Sequence, residues 1–383
     1  MVDSVYWIWL QNLFGVGSNR ADLFMRLFPS AQELYESVKA KGRAASMLSA
    51  REVAESDKSF TLAQTIKSRT LNKGCEIITP DHPLYPPALA EIYSKPAALY
   101  VRGDLSCLQD TLAIAMVGTR DFSKYGRAAA TQLAAELAQS GVVIVSGLAM
   151  GIDSFCHSAA LEAGGKTVGV MGCGLDINYP KDNAKLKSAM RRSGAVVAEL
   201  PLGVEPRPFH FPTRNRIISG MCRGVVVVEA DRASGAIITA GLALEQGRDV
   251  FAVPAGIFDS GSQGPHGLIR DGAKIVESAE GILCEYSIQI NKKEWPLLHN
   301  PLGNMPTIKE EPARAAPREL PAGLSEEALL VYEKMDKEPA LVDELLVRSG
   351  MEVSQLHLAL TELEIYGLAE SRPGRLFARI YHV

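Results

Sequence analysis

Between residues 105 and 285 the chain alternates short apolar runs with segments of helical periodicity. Six runs are rich in Val, Ile and Ala: TLAIAMVG, GVVIVSG, KTVGVMG, AVVAEL, GVVVVEA and DVFAVPA. Strands that are apolar along their length are buried on both faces, which is typical of parallel sheets covered by helices. The segment SKYGRAAATQLAAELAQSG predicts a helix closed by Gly141. We therefore predict an α/β fold, an open parallel sheet with helices on both faces.

The segments on either side of this region have different hydrophobic patterns and compositions. Residues 5–72 have helical periodicity without a strand-like run, and two short helices are predicted to meet at Gly15-Val16-Gly17. We interpret this turn as a plain helix hairpin, although such turns also bind phosphate through backbone N–H groups. Residues 286–324 contain six prolines and predict a linker. Residues 325–383 predict three short helices and a hairpin, the pattern of a winged helix.

Composition narrows the functional classes. The formal net charge is −4, with 40 Lys and Arg against 44 Asp and Glu, so a polyanionic partner requires a local basic patch. The sequence has no eighteen-residue apolar run and no signal-peptide pattern, so we expect a cytoplasmic protein. The six cysteines form no C-x-x-C pair and the seven histidines show no metal spacing, so we expect no metal and no cofactor.

Loops at the carboxyl ends of parallel strands hold the ligands of such sheets. After the first predicted strand, Gly118 permits close approach of the backbone, Thr119 supplies a hydroxyl and Arg120 supplies a charge before a helix begins. This arrangement predicts an anion site. The motif G-x-G-x-x-G is absent, which argues against NAD.

Two further turns have the same character. Ser146 and Gly147 belong to SGLAMGID, and Ser234, Gly235 and Thr239 belong to SGAIITA. Their backbone N–H groups would line one cleft suited to phosphates. Asp153 is either the cap of the helix that follows SGLAMGID or a residue of the site.

The stretch EPRPFHFPTRNRIISGMCRG, residues 205–224, concentrates positive charge. It contains Arg207, Arg214, Arg216 and Arg223 with the rings of Phe209 and Phe211 between them. Guanidinium groups beside aromatic rings are typical of sites for single-stranded nucleic acid. Alternatively, Asn215 and Arg216 brace neighbouring loops by hydrogen bonds. We expect at least one of the two arginines that flank Asn215 to be structural.

Five motifs in order closely resemble the bacterial DNA processing protein A family (DprA, also called Smf). They are GTR at 118–120, SGLAMGID at 146–153, GLDINYPKDN at 174–183, FPTRNRIISGM at 211–221 and SGAIITA at 234–240. The resemblance implies an N-terminal helical domain of the SAM-like type (1–74), an extended Rossmann-like domain (75–285), a Pro-rich linker (286–324) and a winged helix (325–383).

The resemblance also implies a function. It implies a protein without catalytic turnover that binds single-stranded DNA, protects incoming strands during natural transformation and loads the RecA recombinase. It implies a homodimer formed through the Rossmann-like domain. The segment HGLIRDGAKIV (266–276), interpreted as a helix, offers Leu268, Ile269 and Ile275 for that contact, but a core face would have the same pattern.

The resemblance places the DNA site on the G-T-R turn and on the F-P-T-R-N-R stretch. Arg207 is added as the substitute for a lysine that some relatives have before this stretch. With the other turns, the predicted single-strand site is Gly118, Thr119, Arg120, Ser146, Gly147, Arg207, Phe211, Arg214, Asn215, Arg216, Ser234, Gly235 and Thr239.

Two alternatives remain open. The predicted third helix of the winged helix, VSQLHLALTELEIYG, has no Lys or Arg, and the positive charges Arg372, Arg375 and Arg379 fall in the wing. We therefore expect this domain to bind a protein, or a strand only weakly. The cleft would also suit a Rossmann-like nucleotide or ribosyl-phosphate hydrolase with Glu245 as its carboxylate. Against this, SGAIITA lacks the P-G-G-x-G-T pattern of such hydrolases.

Overall fold

The computed structural model describes residues 3–286, 324–335, 340–366, 368–372 and 376–379. The chain forms two compact units, Met1–Trp295 and Pro296–Val383. The predicted linker lies outside the described residues except for its first and last residues. In the part of the chain that is described, no helix is both long and apolar enough to cross a membrane.

Nine strands within the described residues of the first unit form one sheet. They are β1 (Glu76–Ile78), β2 (Leu99–Gly103), β3 (Ala113–Val117), β4 (Val143–Ser146), β5 (Thr167–Met171), β6 (Gly194–Ala198), β7 (Gly224–Val227), β8 (Asp249–Ala252) and β9 (Lys274–Ile275). Their order is β1-β2-β6-β5-β4-β3-β7-β8-β9. β1 pairs with β2, and β2 with β6, in antiparallel orientation. Every other pairing in this order, from β6-β5 through to β8-β9, is parallel. The six apolar runs are β3 to β8, which confirms the predicted sheet.

Five helices precede the sheet: α1 (Ser4–Phe14), α2 (Arg20–Met25), α3 (Ala31–Lys39), α4 (Arg43–Met47) and α5 (Ala50–Asn72). At the start of α5, Ser49 and Glu52 form a capping box. Trp9 of α1 shares one buried cluster with Tyr100 of β2 and Val196 of β6. The helices therefore cover one face of the sheet within one compact unit, and the domain boundary at residues 74 and 75 stays a prediction.

The other described α-helices of this unit lie between the strands, except the last, which follows β9. They are α6 (Pro87–Ala90), α7 (Lys124–Gln139), α8 (Ile152–Glu162), α9 (Ala184–Met190), α10 (His210–Gly220), α11 (Gly235–Glu245), α12 (Gln263–Arg270) and α13 (Ala279–Cys284). Alternate residues of β3 enter different clusters, Ala115 with Ile217 of α10 and Ile114 with Leu133 of α7. The sheet is thus buried on both faces, as its apolar strands predict.

Two predictions about helices have different outcomes. The Ala-rich helix is α7, which ends just before Gly141 at a φ of +83°. The single helix predicted for 266–276 is wrong, because α12 ends at Arg270 and the chain resumes as strand β9. Gly272, at a φ of +104°, turns the chain between them.

The second unit contains α14 (Glu326–Lys334), β10 (Ala340–Leu341), α15 (Val342–Ser349), α16 (Val353–Ile365), β11 (Ala369–Arg372) and β12 (Leu376–Arg379). Its strands form a sheet of order β10-β12-β11. Val331 of α14 packs with Leu356 and Leu360 of α16. Three helices and the hairpin confirm the winged helix. Arg375 lies outside the described residues, and Arg379 lies over the ring of Tyr332 at 3.7 Å.

Candidate nucleic-acid interface

A cavity opens where the strand order reverses. Strand β4 lies on one side of β3 and β7 lies on the other, so the loops that leave these strands diverge around one point. The cavity has a volume of about 440 Å³ and is lined by those loops and by the starts of α10 and α11. Open α/β sheets bind their ligands at this position.

Most of the predicted site residues line this cavity. They are Gly118, Thr119, Arg120, Phe211, Arg214, Asn215, Ser234, Gly235 and Thr239. The fold therefore brings together three motifs that are far apart in the sequence. Their contact with DNA stays a prediction.

Arg120 carries an exposed positive charge at this cavity. Its guanidinium carbon lies 5.8 Å from the centroid of the Phe211 ring. A cation–π contact at an exposed site contributes only about 0.5–1 kcal/mol, so it orients the guanidinium without fixing it. The charge therefore remains available to an anionic ligand.

Arg214 is buried and bonded to the backbone. Its Nη1 donates to the carbonyl oxygen of Gly147 at 2.6 Å and also to that of Val170. Burial lowers the pKa of Arg214 to about 10, an effect that the nearby carboxylate of Asp153 opposes. Arg214 remains charged near neutral pH, so it braces the loop after β4 and adds positive charge to the cavity wall.

Asp153 shapes the loop after β4 through backbone contacts. Its Oδ2 accepts from the amide nitrogens of Gly147 at 3.0 Å and Ala149 at 3.4 Å. Burial raises the pKa of Asp153, and the charge of Arg214 opposes the rise. The N-cap position of α8 is occupied by Gly151, so Asp153 is not the N-cap residue of this helix. Asp153 is therefore a bracing residue of the turn that also borders the cavity.

Polar side chains fix the start of α11 at the cavity wall. Asn215 Nδ2 donates to the carbonyl oxygen of Gly235 at 3.3 Å, and Thr239 Oγ1 donates to the same oxygen at 3.0 Å. Ser234 caps the helix by accepting from the amide of Ala236. The sequence interpretation of Asn215 as a brace between loops agrees with this geometry.

Four predicted site residues do not line the cavity, and one of these, Gly147, lines its neighbour instead. Arg216 is buried, and its Nη2 lies 2.7 Å from Oε1 of Glu199 in an ion pair. Ser146 is fully buried and donates to the carbonyl oxygen of Met116 at 2.6 Å. Arg207 is exposed ahead of α10 and lines neither this cavity nor its neighbours. Neither Arg216 nor Ser146 offers free surface to a strand in this structure, and their contact with DNA stays a prediction.

A second cavity of about 330 Å³ adjoins the first and shares Arg120, Phe211 and Arg214 with it. The predicted residue Gly147 lines this cavity, together with Tyr179 and Lys181, which the sequence analysis did not select. The rings of Tyr179 and Phe211 are 5.6 Å apart. Both missed residues belong to GLDINYPKDN, and the position of that motif directly after β5 was the signal that could have identified them.

The carboxylate proposed for the hydrolase alternative is misplaced. Glu245 is exposed at the last residue of α11, whereas the cavity is lined by the first residues of that helix. The acidic residues that border the cavity are Asp121, Asp153 and Asp231. Among the described residues, no group of His, Cys, Asp and Glu is arranged to hold a metal ion.

The residues predicted for the dimer lie on two elements. Leu268 and Ile269 are half-buried on α12, and Leu268 packs against the core. Ile275 is 55% exposed on β9, the edge strand of the sheet. The side chain of Ile275 is therefore exposed enough to contact a second copy of the chain, whereas Leu268 packs into the core of its own unit.

Comparison with known proteins decides the family. The family model described as DNA recombination-mediator protein A matches residues 76–287, and the DprA winged helix domain matches residues 312–375. Protein Smf of Escherichia coli K12 is 39% identical over 299 residues, which span 78% of this chain and 76% of that protein. The chain belongs to the DNA recombination-mediator protein A family. The resemblance inferred from the five motifs is therefore confirmed.

Further members of the family support this conclusion. DNA processing protein DprA of Streptococcus pneumoniae R6 is 47% identical over 202 residues, 53% of this chain and 71% of that protein. The X-ray structure of the pneumococcal protein covers 67% of this chain and 87% of its own, with a TM-score of 0.59 at 39% identity.

A structure that describes a unique single-stranded DNA binding mode of the Helicobacter pylori protein covers 55% of this chain and 95% of its own. Its TM-score is 0.51 at 28% identity. The extended Rossmann-like fold and the winged helix are thus family features, and DNA processing with recombination mediation is the family's role.

Proposed function

We propose that the protein is a sequence-independent single-stranded DNA-binding mediator that protects incoming strands and loads the RecA recombinase during natural transformation. The observation that carries this proposal is the exposed guanidinium of Arg120 over the Phe211 ring, beside the cavity at the switch point. A guanidinium with an adjacent ring offers one partner to a phosphate and one to a base. The single-strand binding described for the Helicobacter pylori relative supports it.

The proposed roles differ among the residues of the cavity. Arg120 neutralises a phosphate and Phe211 stacks on a base. Gly118, Thr119, Ser234 and Gly235 contribute small side chains and backbone groups close to the strand. Arg214, Asn215 and Thr239 hold the loops in position through their bonds to Gly147 and Gly235.

The proposal extends to assembly and location. The protein acts in the cytoplasm as a homodimer formed through the Rossmann-like domain, with α12 and β9 at the contact, and it performs no catalytic turnover. The winged helix binds a protein, or a strand only weakly, because α16 carries Glu362 and Glu364 and no Lys or Arg. The functional domains are 1–74, 75–285 and 325–383.

Fluorescence anisotropy of a labelled single-stranded oligonucleotide, titrated at two salt concentrations and competed with duplex of equal length, tests the binding. We expect affinity to fall with salt by about 0.7 log units per tenfold salt for each phosphate contacted, with no displacement by duplex. Absence of binding at low salt would overturn the proposal and favour the nucleotide hydrolase, which an assay of nucleotide hydrolysis would then examine.

RecA loading is tested separately. RecA filaments are assembled on a strand already covered by a single-strand binding protein, with and without the present protein. The proposal requires faster filament formation in its presence. An unchanged rate would remove RecA loading and leave strand binding to be judged by anisotropy.

A further inference from the structure

A second guanidinium–ring pair lies close to the loop that carries Arg120. The guanidinium carbon of Arg127, in the first turn of α7, lies 5.0 Å from the centroid of the Phe155 ring on α8. The ring of Phe122 meets the Phe155 ring edge-on, with centroids 4.6 Å apart. Phe122, Arg127 and Phe155 together form a group that we call the α7–α8 patch.

The α7–α8 patch and the cavity flank the loop after β3. Helices α7 and α8 pack together on one face of the sheet, whereas α10 packs on the other face. Residues 118–121 line the cavity, and Phe122 is the next residue. The Cα atoms of Arg120 and Phe122 are at most about 7 Å apart, because two residues of chain span no more. A strand that binds at the cavity therefore reaches the patch by crossing one loop.

Arg127 and Phe122 are both accessible to a ligand. Arg127 is exposed, and it forms no ion pair with a carboxylate among the described residues. Phe122 is 40% exposed. The segment RDFSKYGR (120–127) contains three cations and one carboxylate, so positive charge predominates beside the exposed ring. An anion can thus approach the Arg127 guanidinium without breaking an ion pair.

Hydrogen bonds brace the loop between the cavity and the patch. The Thr119 hydroxyl accepts from the amide of Asp121 at 3.1 Å and donates to the carbonyl oxygen of Asp121 at 3.2 Å. The buried carboxylate of Glu229 accepts from the amide of Ser123 at 3.0 Å and from its hydroxyl at 3.2 Å. The backbone on both sides of Phe122 is therefore held before a ligand arrives, which reduces the entropy that binding costs.

We propose that the α7–α8 patch is a second contact site for the same strand, in which Phe122 stacks on a base and Arg127 binds a phosphate. An exposed ring next to a guanidinium is the combination that sequence-tolerant sites for single strands use. The proposed function places one such combination, Arg120 and Phe211, at the cavity. The inference rests on that proposed function and extends the strand site over the loop after β3.

Salt dependence tests the phosphate contact. In anisotropy titrations with oligo(dT), Arg127→Ala should lower the slope of log affinity against log salt by about 0.7, the value for one phosphate. The double variant Arg120→Ala/Arg127→Ala should lower it by about 1.4, because the two guanidinium groups would bind different phosphates.

Arg43→Ala is the matched control. The guanidinium carbon of Arg43, an exposed residue of α4, lies 5.9 Å from the centroid of the Phe28 ring, and Arg43 lines neither cavity. This variant removes a guanidinium–ring pair of the same kind away from the loop after β3. It should bind oligo(dT) with the slope of the parent protein.

An abasic oligonucleotide separates stacking from charge. Phe122→Ala should weaken binding of oligo(dT) by about tenfold, equivalent to about 1.4 kcal/mol and within the contribution of one stacked base. It should not change binding of an abasic strand of equal length, whereas Arg127→Ala should weaken binding of both. Phe122→Leu keeps an apolar contact with Phe155 without an aromatic ring, so it should bind as Phe122→Ala does.

The outcomes separate this inference from the proposed function. A slope equal to that of the parent for Arg127→Ala, with a reduced slope for Arg120→Ala, overturns the second contact and leaves the strand site at the cavity. Equal weakening of oligo(dT) and the abasic strand by Phe122→Ala overturns the stacking of a base on this ring. Absence of binding by the parent protein overturns the proposed function and the inference with it. If thermal unfolding shows that Phe122→Ala does not fold, Phe122→Leu and Arg127→Ala still decide.

Discussion

At the scale of single residues, burial divides the arginines of the site into two kinds. Arg120 is exposed at the cavity, whereas Arg216 is buried against Glu199. An exposed guanidinium loses little by meeting a phosphate, whereas a buried one would have to leave its carboxylate. Substitution of Arg120 should therefore affect DNA binding, and substitution of Arg216 should affect the free energy of unfolding.

Arg120→Ala should weaken binding of single strands of every composition and reduce the slope of log affinity against log salt by about 0.7, the value for one phosphate on a single strand. Arg192→Ala is the control, because Arg192 is exposed just before the amino end of β6, whereas the cavity lies at the carboxyl ends of the parallel strands. Anisotropy titrations over a range of salt concentrations measure both slopes. An Arg120→Ala slope equal to that of the parent would show that this guanidinium does not contact a phosphate.

Arg216→Ala should instead lower the free energy of unfolding, by about 3–5 kcal/mol, because it leaves the buried carboxylate of Glu199 without its cation. Arg120→Ala should change the same quantity by no more than about 0.5 kcal/mol. Urea unfolding followed by tryptophan fluorescence suits this measurement, since Trp9 is fully buried in the first unit. A loss under about 1 kcal/mol for Arg216→Ala would mean that the pair behaves as a surface ion pair.

His157 should make stability depend on pH. Thr167 Oγ1 donates to the carbonyl oxygen of Ile144 at 2.7 Å, so at 2.6 Å it must accept from Nδ1–H of His157. Nε2 is then a buried nitrogen without a partner among the described residues. Burial lowers the pKa of His157 from 6.5 to about 3, with the charge of Arg214 acting in the same direction.

The sign of the effect follows from proton uptake. Between pH 6.5 and about 3 the unfolded chain binds a proton at His157 and the folded chain does not, so stability falls as pH falls through that window. The slope approaches about 1.4 kcal/mol per pH unit. His157→Asn keeps a donor for Thr167 and should lose this slope in urea unfolding from pH 7 downward. Identical slopes for the parent and the variant would refute the buried neutral imidazole.

The sequence locates the site at this scale but does not assign every role. GTR, FPTRNR and SGAIITA identify residues that do line one cavity. Arg214 and Arg216 are two positions apart in one motif, and nothing local indicates that both are buried. Their partners are Val170, Gly147 and Glu199, which only the folded sheet brings near. Tyr179 differs from these arginines, because the position of its motif directly after β5 is a signal in the sequence itself.

At the scale of elements, α8 approaches the end of β3 so closely that Gly118 has no room for a side chain. A Cβ at Gly118 would lie 2.6 Å from Cγ1 of Ile152, while a Cβ at Gly235 would meet nothing within 4 Å. Both glycines line the cavity. The matched pair therefore separates packing of the elements from contact with a ligand.

Gly118→Ala should lower the free energy of unfolding by about 1–3 kcal/mol, the usual cost of overpacking a core. Gly235→Ala should change it by no more than about 0.5 kcal/mol, because α11 has open space there. Urea midpoints at equal m-values give both numbers. Comparable losses for the two variants would contradict the close approach of α8 to β3.

Elements with strong local signals were predictable and weaker ones were not. Strands β3 to β8 and helix α7 were evident because continuous apolar runs and an Ala-rich helix leave few alternatives. The segment 266–276 was misjudged because its apolar residues fit a helical period, while Gly272 breaks the helix and β9 exists only by pairing with β8. A two-residue edge strand has too few positions to show a period.

At the scale of the whole molecule, shared burial decides which segments form a unit. In the sequence, helices α1 to α5 resemble a separate domain, because they have helical periodicity and none of the apolar runs that form the sheet. In the structure, Ile8 and Trp9 are buried in a cluster with residues of β2 and β6. A pattern of hydrophobic residues reports secondary structure, whereas a compact unit is defined by a common core, so the boundary at residues 74 and 75 stays a prediction.

The proposed homodimer is the property that belongs to this scale, and β9 offers a direct test. An edge strand has unpaired backbone groups, and Ile275 adds an apolar side chain that is 55% exposed. Ile275→Arg should turn a dimer into a monomer, because a charge buried at an apolar contact is costly. Leu62→Arg, on a residue of α5 that is 51% exposed, is the control and should remain dimeric.

Sedimentation velocity over a range of protein concentrations separates the two variants from the parent. Because Ile275 is exposed, the arginine should leave the urea midpoint of the monomer unit unchanged, so a shift in sedimentation coefficient reports association alone. A dimeric Ile275→Arg would exclude β9 as the dimer contact. The proposed contact would then rest on Leu268 and Ile269 of α12 alone, which are half-buried. A parent protein that sediments as a monomer at every concentration would remove the homodimer from the proposed function without touching the strand site.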